Sequence, residues 1–177
     1  MGLDSNSPRS VKIGDRMVGP GQPAYIIAEV GINHNGELDT AKKLIDAAWD
    51  AGCDAVKFQK RTPSICVPIE QREMTRNTPW GKLTYLAYRE RVEFSEEAYK
   101  EIDHHCKDRN IAWFASAWDR RSVDFMEEFS PVCHKVCSAA LTDDYLVNYI
   151  NDTGRPVVLS TGMSTMDEIR HAVSLLD

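Results

Sequence analysis

From residue 25 onward, short apolar bursts alternate with longer stretches whose apolar residues recur every three or four positions. Five bursts stand out: Tyr25–Val30, Ala55–Phe58, Ile111–Ser116, His134–Cys137 and Val157–Ser160. Each is short and mostly apolar on both faces, as a parallel strand covered from both sides should be. The stretches between them read as helices. Leu38, Ala41, Leu44, Ile45 and Ala48 share one helical face, and Gly52 ends that helix. Ser95 stands where it caps a helix running to about Arg109, with Ala98, Ile102 and Cys106 turned inward. Val123, Phe125, Met126 and Phe129 follow the third strand, and Tyr145, Leu146, Tyr149 and Ile150 follow the fourth. Thr165 and Glu168 have capping-box spacing ahead of Ile169, Ala172, Val173 and Leu176.

Repeated strand–helix units predict a parallel α/β fold. Two intervals break the rhythm. Residues 1–23, rich in Ser, Pro and Gly, read as an extension in which Val11, Ile13, Met17 and Val18 form a short hairpin plugging one end of the domain. Residues 60–94 carry Pro63, Pro68, Pro79 and several aromatics, and read as an insertion of loop and short helix over the strand ends. A closed eight-unit barrel takes about 250 residues. A five-stranded doubly wound sheet fits the length better, but no Gly-rich phosphate turn follows the first strand. The pattern alone leaves both architectures open.

Composition narrows the function. The chain has 42% hydrophobic and 27% charged residues over 177 positions, which excludes a disordered tail, a collagen-like repeat and a disulfide miniprotein. With 21 basic against 27 acidic side chains the net charge is -6, a poor match to general nucleic-acid binding. One anionic substrate in a local basic pocket remains compatible with it. Five scattered cysteines without a C-x-x-C pair read as reduced thiols. No apolar run approaches the roughly 20 residues that span a bilayer, and no signal-peptide core is present. Met1-Gly2 lacks the Ser or Thr of an acylation signal, since Asn6 stands there. The expected compartment is the cytoplasm, with no membrane partner.

The chemistry gathers at the carboxyl ends of the strands, where parallel α/β proteins build their ligand face. The first strand ends around Glu29 and Gly31-Ile-Asn-His-Asn-Gly36, and the second brings Lys57 and Gln59. The third ends at Ser116, the fourth brings Lys135 and Ser138, and the fifth ends at Ser160. Lysines beside hydroxyls make a cradle for phosphate. Alternation groups Lys57 with Gln59, but Lys135 and Ser138 share a site only if their strand ends between them. A structural reading stands beside each: Lys57 paired with Glu29, His34 shaping its loop, and His104-His105 facing solvent. Trp80, Tyr85 and Tyr88 are expected to pack the insertion onto the domain. No His, Cys or acidic pair has metal-ligand spacing.

Ile27-Ala-Glu-Val-Gly-Ile-Asn-His-Asn-Gly36, Ala55-Val-Lys-Phe-Gln-Lys60 and Leu159-Ser-Thr-Gly-Met163 resemble the motifs of the sialic acid synthase family. Thr78-Pro-Trp-Gly81 and Arg91-Val-Glu-Phe94 resemble its insertion, and the likeness runs from about residue 12 onward in family order. The resemblance implies a TIM-type (β/α) barrel, with about five of eight units in residues 24–177. It implies condensation of phosphoenolpyruvate with N-acetylmannosamine, or a related N-acylated hexosamine, to a nine-carbon sugar acid and phosphate. A divalent metal, manganese or magnesium, and a homodimer covered by a C-terminal antifreeze-like domain come with it. By motif, Lys57 and Ser116 hold phosphoenolpyruvate, and Ser138 and Ser160 complete the cradle. Lys135 falls on a family lysine, Glu29 on the first-strand acid, and Gln59 where the family contacts the amino sugar.

The chain also departs from the family. Ala115-Ser116-Ala117 stands where many members read Ser-Thr-Pro, and Cys137-Ser138-Ala139-Ala140 where many read Gly-Ser-Gly-Glu. The family's metal-binding histidines lie in later strands, so the metal ligands are expected outside this chain. A Schiff-base aldolase using Lys57 or Lys135, and a partial barrel that binds without turnover, are the competing readings. A chain ending at Asp177 is expected to associate through its open strand edges.

Overall fold

The computed structural model describes residues 10–176; the acylation pattern at Gly2 and Asn6, and the terminal Asp177, lie outside them. The chain opens with a hairpin, β1 (Val11–Ile13) and β2 (Arg16–Val18). The main sheet takes β3 (Ile27–Gly31) and β4 (Ala55–Lys60) with α1 (Leu38–Asp50) between them. Then come α2 (Pro63–Cys66), a hairpin of β5 (Thr75–Thr78) and β6 (Gly81–Thr84), and the helices α3 (Tyr85–Val92) and α4 (Glu96–Arg109). The remaining units are β7 (Ala112–Ala117), α5 (Arg120–Glu127), β8 (His134–Val136), α6 (Asp144–Asn151), β9 (Val157–Leu159) and α7 (Met166–Ser174).

Five strands pair in the order β3-β4-β7-β8-β9, all parallel. Neighbours in space are therefore neighbours in the sequence of units, the winding of a (β/α) barrel; a doubly wound sheet would reverse its strand order partway. The five predicted strands all form, with ends moved by one or two residues. The caps form as their side chains dictate. Ser95 Oγ accepts from Ala98 N at 3.3 Å, and Thr165 and Glu168 make the reciprocal box.

Alternation sorts each strand into two faces. Val56, Phe58, Trp113 and Ala115 face the helices and pack with Ile45, Tyr99, Ile102 and Met126. Ala55, Phe114 and Cys133 form a separate cluster with Ile13 and the half-buried Val18, Tyr25, Ile27 and Val158. The N-terminal hairpin thus seals the apolar end of the second face, as its plug-like pattern predicts. Cys106 and Cys133 are buried, and all five cysteines are free thiols.

Three expectations need correction. The insertion holds a β-hairpin besides its helices, because Thr75–Thr78 and Gly81–Thr84 pair across the turn at Pro79-Trp80. Trp80, Tyr85 and Tyr88 pack within the insertion rather than onto the sheet. Trp80 tilts against Tyr88, Arg91 lies over Trp80, and Arg76 and Arg89 lie over Tyr85. His104 is exposed as expected, but His105 is half-buried and bonds Asp46 at 2.8 Å, tying α4 to α1.

His34 does hold its loop. It is buried, stacks on Phe94 at 4.1 Å and accepts from Gly36 N through Nδ1 at 3.0 Å. Gly36 has φ 75°, and a Cβ there would run into the Arg91 carbonyl oxygen, so only glycine fits. Burial pushes the His34 imidazole down from 6.5 to about 4. The unfolded chain therefore takes up this proton first. The stability from a neutral His34 is complete above about pH 6.5 and drains as pH falls toward 4. Between pH 6.5 and pH 5 the loss should reach about 2 kcal/mol. Burial lowers His134 too, adding a slope of the same sign. Denaturant unfolding at pH 7 and pH 5 checks this: the wild-type midpoint falls at pH 5, and His34→Phe flattens the difference. A wild-type midpoint that does not move contradicts the buried neutral histidine.

Candidate functional site

The face that is apolar at the hairpin end becomes polar two residues further along each strand. Ile27 is followed by Glu29, Ala55 by Lys57, Phe114 by Ser116, Cys133 by Lys135 and Val158 by Ser160. Parallel pairing holds these side chains in adjoining rows. Glu29 is opposite Lys57, Gln59 opposite Ser116, and Ser116 opposite Lys135. All seven predicted residues, Glu29, Lys57, Gln59, Ser116, Lys135, Ser138 and Ser160, line one cavity of about 330 Å³. Larger hollows lie between the N-terminal hairpin and α4, and between α2, α5 and α6, but neither holds any of these residues.

The conflict over Lys135 and Ser138 resolves in the backbone. Strand β8 stops at Val136, and Ser138 opens a 3-10 turn, so the alternation no longer applies to it. Lys135 Nζ donates to Ser160 Oγ and to the Val136 carbonyl, both at 2.6 Å. Ser138 Oγ accepts from Gly162 N at 3.1 Å. Lys57 Nζ lies 3.3 Å from Ser116 Oγ and is ion-paired with Glu29. The structural and functional readings of Lys57 thus coexist: its partner is Glu29, and both stand in the cavity.

The electrostatics are lopsided. Lys57 and Lys135 are 9% and 8% exposed, whereas Glu29 has half its side chain in solvent. Burial first, and the charge of Lys57 second, hold the Lys135 ammonium below the usual lysine range. Two covered cations share one carboxylate that water already solvates. Such a site gains from a bound anion.

Sequence reasoning missed Arg61, Trp118 and Glu93. Arg61 extends the alternation Lys57, Gln59 by one step, and that was the signal available for it. It is 3% exposed, donates to Gln59 Oε1 and lies over the Trp118 ring at 4.3 Å. Trp118 lines the cavity itself. Glu93, from the end of the insertion, sits 3.3 Å from Arg61 Nε and 3.4 Å from Lys60 Nζ. Burial pushes the Glu93 carboxyl up, against the pull of these two cations.

The chain resembles proteins of known activity and solved structure. The chain is 38% identical over 154 residues to the N-acetylneuraminate-9-phosphate synthase of Drosophila melanogaster, covering 86% of this chain and 41% of that protein. It is 35% identical over 153 residues to the N,N'-diacetyllegionaminic acid synthase of Campylobacter jejuni, covering 85% and 46%. It therefore spans about half the length of the curated relatives it matches. The crystal structure of the N-acetylneuraminic acid synthetase from Leptospira borgpetersenii, in complex with citrate, superimposes with a TM-score of 0.84 at 26% identity. That match covers 96% of this chain and 55% of that one. The NeuB family model matches residues 44–177, and with relatives at this identity over most of its length the chain belongs to the NeuB family.

Proposed function

We propose that this chain supplies the phosphoenolpyruvate side of the active site of a sialic-acid-type synthase. The whole enzyme would condense phosphoenolpyruvate with N-acetylmannosamine, or a related N-acylated hexosamine, releasing phosphate. The observation that supports this best is the convergence of Lys57, Lys135, Ser116, Ser138 and Ser160 on one cavity at the carboxyl ends of parallel strands. Phosphoenolpyruvate carries a phosphate and a carboxylate. Two ammonium groups and three hydroxyls match such a ligand in charge and in donors. The relatives' names, synthases of N-acetylneuraminate 9-phosphate and of diacetyllegionaminic acid, support the same reaction class.

In this reading C3 of phosphoenolpyruvate attacks the aldehyde carbon of the open-chain sugar. The carbonyl pair moves to the aldehyde oxygen, which takes up a proton that the later loss from the adding water balances, and positive charge develops at C2. Water adds at C2, and the tetrahedral intermediate collapses with loss of phosphate. Lys57 and Lys135 hold the phosphoryl oxygens throughout, and Ser116 and Ser160 keep the two ammonium groups aligned on them. When Lys57 turns to the phosphate, Glu29 is freed at the solvent edge, where it can bind a sugar hydroxyl or accept the proton of the adding water.

The family resemblance adds a manganese or magnesium ion and a homodimer, and the residue pattern adds the expectation of a cytoplasmic location. Among the described residues, no three His, Cys, Asp or Glu side chains gather where a metal ion could bind. Glu29 is the single acidic side chain among the described residues lining this cavity. These residues do not fit a divalent ion, and no step above is routed through one. No helix among the described residues is long and apolar enough to cross a membrane.

Phosphate release from phosphoenolpyruvate and N-acetylmannosamine by the complete protein tests the reading; no release across several hexosamines would overturn it. Lys57→Met should weaken phosphoenolpyruvate binding by roughly 10- to 100-fold, the worth of a charged hydrogen bond. It should change stability by less than about 1 kcal/mol, since the Glu29 left behind is solvated. Calorimetric titration and a denaturation midpoint read the two effects, and retained affinity with lost stability would reassign this lysine to structure. Affinity should also fall as pH rises through the lowered Lys135 value, because only the ammonium form holds the anion. Lys135→Arg should stay flat to higher pH, since a guanidinium does not titrate there. A depressed lysine is also what a Schiff-base enzyme uses. Borohydride with pyruvate is expected to leave the protein mass unchanged, and a trapped adduct would favour the aldolase.

A further inference from the structure

Gln59 stands at the rim of the cavity with an amide that has a donor end and an acceptor end. Which end faces the ligand decides what it recognises. The guanidinium of Arg61 contacts Gln59 Oε1. Arginine has five N–H donors and no acceptor, so only the amide oxygen can face it. The amide nitrogen is then turned the other way. A Cβ built on Gly31, whose φ is 55°, would meet Gln59 Nε2 at 3.4 Å and Glu29 Oε1 at 2.9 Å. The amide N–H₂ and the Glu29 carboxylate therefore stand side by side over the open backbone of Gly31, one donor beside one acceptor.

Resting on the synthase reading, we propose that Arg61 is a positioning residue that locks Gln59 as a hydrogen-bond donor to the acceptor sugar. Gln59 then receives a sugar oxygen, and the same hydroxyl passes its proton toward Glu29. Arg61 does not line the cavity. It is held from behind on three sides. Its backbone N–H donates to Glu93 Oε2 at 3.4 Å, its Nε lies 3.3 Å from Glu93 Oε1, and the Trp118 ring covers the guanidinium face. Glu93 closes the insertion, so the segment over the strand ends sets the orientation of one amide in the site. A residue free to rotate could accept as well as donate and would not distinguish a carbonyl from an N–H at that position.

The test is a double-mutant cycle in the complete protein, measuring KM separately for phosphoenolpyruvate and for the hexosamine. Arg61→Met should raise the hexosamine KM about 10-fold, the loss of one oriented hydrogen bond, with the phosphoenolpyruvate KM within about 2-fold. Gln59→Leu should raise it by a similar factor, and the double variant should be no worse than Gln59→Leu alone. Arg61→Lys, which still donates but loses the Nε contact with Glu93, should fall between wild type and Arg61→Met. If Arg61→Met does not fold, Arg61→Lys with Gln59→Leu completes the same cycle. Additive effects, or equal rises in both KM values, would overturn the positioning role while leaving the synthase reading in place. A wild-type protein that releases no phosphate would overturn both.

Discussion

Everything in this structure depends on one face of five parallel strands being apolar at one end and charged at the other. The change takes two residues per strand, the smallest step alternation allows. At the apolar end, Ala55, Phe114 and Cys133 are sealed by Ile13 from the N-terminal hairpin. At the polar end, Lys57 and Lys135 are covered by their neighbours but have no full complement of countercharge. The sheet can carry these ammonium groups because its opposite face, packed on the helices through Val56, Phe58 and Trp113, supplies the burial that holds the strands in register.

The cost of those lysines shapes what the site can do. Taking an ammonium group out of water costs several kcal/mol unless a partner restores the lost interaction. Lys57 has Glu29 and Ser116, and Lys135 has Ser160 and a strand carbonyl. Hydroxyls and carbonyls offset desolvation without neutralising charge, so the cavity keeps a positive excess. Glu29 sits at the solvent edge, where it can be given up as the partner of Lys57 with little penalty. The ion pair is therefore a resting arrangement compatible with anion binding.

A second layer of control comes from the insertion between β4 and α4. It packs on itself through arginine–aromatic contacts and hands Glu93 to Lys60 and Arg61 at the end of β4. The orientation of Gln59 follows from that anchor. His34, stacked on Phe94 one residue beyond Glu93, ties the β3 loop to the same junction. The loop that follows Gly31 and the strand bearing Gln59 are thus braced by one short segment.

Much of this was legible from residue order. Alternation and helical spacing determine the five strands and the helices after them, and the strand-end positions of Glu29, Lys57, Gln59, Ser116, Lys135, Ser138 and Ser160 follow from those strands. The choice between a barrel and a doubly wound sheet did not follow, because both present the same succession of strands and helices and differ only in pairing order. Register and pairing are long-range, and they decided that Lys57 meets Glu29 and that Ser116 lies beside Lys135. The strand end at Val136 let Ser138 join a site that strict alternation would have denied it. The hairpin at residues 75–84 stayed hidden because its strands are polar and exposed, with no buried face to impose a period. Arg61 was hidden for the opposite reason: a sequence shows a charge beside a strand, and only the packed structure shows that the charge is buried, anchored by Glu93 and aimed at one amide oxygen.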